Sequence, residues 1–120
     1  MSTLHMLQEA ALKLASNGTV KDRLLDAYCN HLTSLDEATL PKEFRDEFGE
    51  MCRAMHRERP LPRENAVRAS VRKMSNEEAH RYAALVVRLY GAVARAPLGA
   101  KSTRTPVMAP IVQLFAAADA

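Results

Sequence analysis

The segment that most constrains the fold is residues 75–95, SNEEAHRYAALVVRLYGAVAR. Ser75 and Glu78 stand in the Ser-x-x-Glu relation of a capping box. Behind them Ala79, Tyr82, Ala83, Val86, Leu89, Tyr90 and Val93 recur at helical spacing, which predicts a helix from about residue 76 to 95 with one long apolar stripe. Such a stripe is stable in water only when other elements cover it. The remaining residues must supply those elements, and composition says of which kind. Aromatic residues make up 5% of the chain and Trp is missing, while Ala and Leu are abundant, a mixture that favours helices over sheets.

Leu4, Leu7, Ala11 and Leu14 predict a first helix over residues 3–17, ended by Gly18. Thr19 caps the second, with Asp22 as its capping-box partner, and Leu24, Leu25, Tyr28, Leu32 and Leu35 form its stripe. Pro41 suits the first turn of a third helix running to about residue 57, whose buried face is Phe44, Phe48, Met51, Cys52 and Met55. Gly49 inside it costs about 1 kcal/mol relative to Ala and predicts a close helix crossing. Pro60 and Pro62 stop that helix and start the fourth, residues 62–73, with Leu61 expected to pack back on its first turn. In this helix Ala66, Val67, Val71 and Met74 face inward, and Asn65, Arg68 and Arg72 line the opposite side.

Residues 96–106, APLGAKSTRTP, read as a linker, and Met108, Ile111, Val112 and Phe115 beyond it mark a short amphipathic helix. No strand and no internal repeat is predicted. The expected fold is therefore all-α: an antiparallel bundle of four to five helices over residues 1–95, the linker, and a short C-terminal accessory helix within 107–120.

At 120 residues the chain is one domain by size and buries roughly two thirds of its unfolded surface. It needs no metal or disulfide to fold. Hydrophobic content of 48% and charged content of 26% exclude wholesale disorder. Two cysteines, Cys29 and Cys52, cannot build a disulfide framework, and the first residues lack a basic region followed by an apolar core. No run approaches about 18 apolar residues, so no membrane span is expected. The expectation is a cytoplasmic protein of bacterial style with free thiols.

The formal charge of +3 is unevenly distributed. Residues 1–52 carry 5 Lys/Arg against 9 Asp/Glu, residues 53–73 carry 7 against 2, and residues 74–120 carry 5 against 3. The basic character thus sits in one short segment with a net charge of +5. Its Arg53, Arg57, Arg59, Arg63, Arg68, Arg72 and Lys73 could meet phosphates, for which arginine is suited. Against a nucleic-acid surface, the second helix of a helix-turn-helix would open Ser-Asn-Glu-Glu and set carboxylates on the phosphates. No aromatic residue lies within 53–73 to stack on a single strand. The plainer alternative is that the arginines oppose Asp36, Glu37, Glu43, Asp46, Glu47 and Glu50, in the same chain or across a dimer.

Cys52 and His56 lie one turn apart, and Cys29 and His31 could approach them, but Cys29 and His31 point roughly 200° apart around a helix and cannot share one ion. No metal and no other cofactor is expected. Catalysis has no local nucleophile and base set, and no glycine-rich loop follows a strand. The expected function is a non-catalytic interaction or regulatory protein that presents its basic face to an acidic protein partner through Arg53, Arg57, Arg68 and Arg72. A homodimer through the fifth helix or the tail is expected, with Met108, Ile111, Val112 and Phe115 as a second surface. Nucleic-acid binding by the same arginines is the alternative partner reading.

Overall fold

The computed structural model describes residues 2–95. It is all-α, and among the described residues there are five α-helices and no strands: α1 (Thr3–Leu14), α2 (Val20–Ala27), α3 (Lys42–Ala54), α4 (Ala66–Lys73) and α5 (Asn76–Arg95). The expected linker and accessory helix, with Met108, Ile111, Val112 and Phe115, lie outside the described residues.

Local hydrogen bonding explains most of the helix starts. Ser2, Thr19 and Asn65 each accept a backbone N–H from three residues on, at His5, Asp22 and Arg68. Ser75 accepts the Glu78 N–H at 3.0 Å and so caps α5 as its sequence requires. The α1–α2 link turns at Gly18, whose φ of 109° is open to glycine and strained for other residues. Arg23 closes the same corner, donating to the Leu14 and Gly18 carbonyls and satisfying the open end of α1.

α5 is the central element. α1 packs on α5 and on α2, α2 packs on α5, α4 leans on α2, and α3 meets α5 and the 3-10 turn Glu37–Thr39. Leu7, Leu24, Leu32, Met51, Met55 and Leu89 are fully buried in one shared core. Each such side chain contributes about 2 kcal/mol through removal from water.

Four boundaries differ from expectation, the first being that α1 ends at Leu14 rather than at residue 17. After Ala27 the second helix widens into a π-helical turn, Tyr28–Leu32. That turn keeps Tyr28 and Leu32 in the core while Cys29 and Asn30 face water. α3 ends at Ala54 rather than near residue 57, and α4 begins at Ala66 rather than at 62. The prolines therefore do not start α4. They sit in a loop, and Leu61, expected to pack on the helix, is 56% exposed.

Gly49 marks no helix crossing. A Cβ built there would meet only the ends of two side chains, the Glu37 carboxylate at 3.1 Å and the Arg53 guanidinium at 3.5 Å. Both belong to exposed residues free to move. Gly49→Ala is accordingly expected to raise stability by about 0.5–1 kcal/mol through helix propensity, read as a higher urea midpoint. A loss of stability would mean that the Glu37 carboxylate is held in place.

Candidate functional site

The basic segment folds into three parts: the last turn of α3, a loop over residues 55–65, and α4. The loop is irregular yet closely braced. Ser70, fully buried on α4, accepts the Glu58 N–H at 3.0 Å and donates its hydroxyl to the Ala66 carbonyl at 2.8 Å. Glu64 accepts the Leu61 N–H at 3.0 Å, which closes the turn that holds Pro62 and Arg63. Arg63 takes a left-handed φ of 70°, a conformation that a side chain adopts only when its surroundings hold it there.

Ion pairs complete the bracing. Arg57 donates both guanidinium arms to the Glu78 carboxylate, at 2.8 and 2.7 Å, and ties the loop to the first turn of α5. Arg72 holds Glu64 at 2.9 and 3.1 Å, and Lys73 lies 3.5 Å from Glu58. The guanidinium hydrogen bonds push the Glu78 and Glu64 carboxyls below the usual glutamate range and raise both arginines. Glu78 thus serves Arg57, and also accepts from the Tyr82 hydroxyl at 3.3 Å, leaving the capping box half formed.

This divides the four arginines expected to face a partner. Arg57 and Arg72 stay exposed but are paired within the chain, to Glu78 and Glu64. Arg53 and Arg68 remain exposed with no ion pair among the described residues, as do Arg59 and Arg63 on the loop. Of the alternative that the arginines oppose Asp36, Glu37, Glu43, Asp46, Glu47 and Glu50, one part is seen within the chain: Arg53 lines a surface hollow together with Glu37, Asp46, Glu47 and Glu50. Among the described residues that stretch receives one ion pair, from Arg88 of α5 to Glu47 at 3.4 Å.

Arg59, Pro60, Leu61, Pro62 and Arg63 are all exposed and form the loop tip. A large apolar side chain therefore stands in water, two residues along the chain from each of two arginines that lack ion pairs among the described residues, on a loop braced by the Ser70, Glu64 and Arg57 contacts. The sequence places Leu61 against the first turn of the fourth helix, and no local signal marks it as exposed. Lys21 was missed as well: its ammonium donates to the Arg72 carbonyl at 2.8 Å, a contact across 51 residues that brings α2 to the edge of the basic surface.

Of the cysteines and histidines, His56 is held by a core tyrosine. The Tyr28 hydroxyl bonds to His56 Nε2 at 3.0 Å, with the rings edge to face. Burial pushes the Tyr28 phenol and the Cys52 thiol up, so both carry their protons at neutral pH, and Cys52 is a poor nucleophile. Among the described residues no three His, Cys, Asp or Glu side chains converge on one point.

The pairing predicts an acid dependence. Glu78 and Glu64 hold their protons less tightly folded than unfolded, so the stability they contribute is complete above the ordinary glutamate range and is lost as pH falls through it. The urea midpoint should drop as pH falls below the ordinary glutamate range toward the lowered folded values, and Glu78→Gln should flatten part of that slope. Arg57 is 40% exposed, so water screens the pair and its loss at neutral pH costs about 1 kcal/mol or less. An identical acid limb in the variant would show the pair to be energetically idle.

Among the described residues, no helix is long and apolar enough to cross a membrane. Comparison with protein-family models, with curated proteins and with solved structures finds no match.

Proposed function

We propose that the protein is a non-catalytic interaction or regulatory module whose basic surface receives an acidic segment of a protein partner. The observation that carries this reading is the braced loop tip, where exposed Leu61 stands between Arg59 and Arg63 and both guanidinium groups lack ion pairs among the described residues. A braced tip loses less conformational entropy on binding than a free loop, and an apolar anchor with an arginine two residues to either side in the chain supplies both contact area and orientation. Arg68 extends the positive surface along α4, whereas Arg53 stands among the carboxylates of Glu37, Asp46, Glu47 and Glu50. Arg57 and Arg72 act indirectly, by holding its shape.

Self-association remains part of the proposal. Val87 on α5 is 50% exposed and offers a contact for a second copy, which light scattering would register as twice the monomer mass.

The test of the acidic-partner reading is retention on immobilised poly-glutamate. The folded protein should be retained at low salt, and Arg59→Glu with Arg63→Glu should lower the apparent affinity about tenfold or more while leaving the helical circular-dichroism signal intact. Unchanged retention would remove the reading. A duplex-DNA mobility shift that weakens steeply with salt would replace it with nucleic-acid binding by the same arginines.

A further inference from the structure

A second recognition element lies beside that surface. α2, α4 and the start of α5 border an open groove of about 480 Å³ whose apolar lining is half-buried Leu25, with Val71 beneath it in the core. Its rim carries Lys21, Arg68 and Arg72 against Asp22 and Glu64. The charges are not equivalent. Glu64 and Arg72 neutralise each other through two hydrogen bonds, and Glu64 also holds the Leu61 N–H. Lys21 has a backbone carbonyl as its partner and no ion pair among the described residues. Arg68 has no ion pair among the described residues. What faces a ligand is therefore an apolar floor with two uncompensated cations and one opposing carboxylate, Asp22.

We infer that this groove binds an acidic, leucine-type peptide segment of the partner, its apolar side chain on Leu25 above the buried Val71 and its neighbouring carboxylate on Arg68 and Lys21. This rests on the acidic-partner reading above and narrows it to a sequence type. Charge complementarity selects the occupant, because a purely apolar segment would leave Arg68 and Lys21 desolvated without partners. The groove is open along the surface, which suits an extended chain better than a small molecule that needs enclosure on most sides. Arg68 belongs to both elements, since its helix follows directly from the braced loop.

The probe is an alternating Leu-Glu hexapeptide, with the Leu-Gln hexapeptide as the uncharged control, titrated into the full chain with methyl-labelled Leu and Val. The Leu-Glu peptide should shift the Leu25 and Val71 methyl signals, and the Leu-Gln peptide should bind about tenfold more weakly or not at all. Arg68→Glu should weaken the Leu-Glu peptide by a similar factor. Asp22→Asn removes the one opposing charge and should tighten it about two- to fivefold, the size of an exposed pair. A merely structural role for Asp22 predicts no gain.

Equal binding of both peptides, no Leu25 or Val71 shift, or insensitivity to both variants overturns the groove. Arg59→Glu with Arg63→Glu separates the two readings. If the peptide's binding is lost in that variant but unaffected by Arg68→Glu, the basic loop stands and the groove falls. If poly-glutamate retention also survives the loop variant, the acidic-partner reading fails with it.

Discussion

Truncating Leu89 to alanine should lower the stability of the domain by about 3 kcal/mol, the largest effect expected from a single apolar substitution. Leu89 is fully buried on α5, the helix against which α1, α2 and α3 all pack, so no single neighbour can move in to fill the space. In a domain of this size the melting temperature should fall by roughly 10–20 °C. Val87, two residues away and 50% exposed, is the internal control: Val87→Ala should change stability by no more than about 0.5 kcal/mol. Similar losses in the two variants, read by thermal and urea unfolding, would show that α5 is not the centre of the core.

Ser70→Ala is the second large effect, and it joins the fold to the site. The hydroxyl is fully buried and links the Glu58 N–H to the Ala66 carbonyl. Removing it leaves the Glu58 N–H without its acceptor, at a cost of about 2 kcal/mol. The loss should be local as well as global. The Glu58 amide should exchange faster, and trypsin should cut faster after Arg57 and Arg63, because the loop can then leave α4 without breaking the core. Binding to an acidic partner should weaken too, since an unbraced tip must be ordered on contact. Exchange and cleavage rates equal to those of the parent chain would place the bracing elsewhere, in Arg57 or Glu64.

These two positions show how much of the fold was legible in the residues themselves. The α5 stripe and its Ser75 cap are found where the spacing of Ala79, Tyr82, Val86 and Leu89 puts them, because each contact lies within one or two turns of the chain. The Thr19 cap is equally local. The start of α4 was misread because Pro62 and Asn65 both carry a helix-start signal, and Asn65, whose side chain accepts the Arg68 N–H at 2.8 Å, is the one used. Ser70 gave no signal. A serine on a helix is ordinary until a loop folds over it.

The candidate site divides in the same way. The clustering of arginine between residues 53 and 73 is plain from the sequence. Which of those arginines are free is not, since Arg57 meets a carboxylate 21 residues away and Arg72 one that lies 8 residues back across the start of α4.

The amino-acid order by itself determined the all-α class, the caps and apolar faces of the helices, and the place of the positive charge, because these depend on interactions spanning a few residues. The tertiary structure alone decided that Arg57 and Arg72 brace the loop, that Leu61 stands in water, and that Lys21 joins Arg68 at one groove. Those outcomes depend on how the ends of separate helices meet in space, and the distance between residues along the chain carries no record of that.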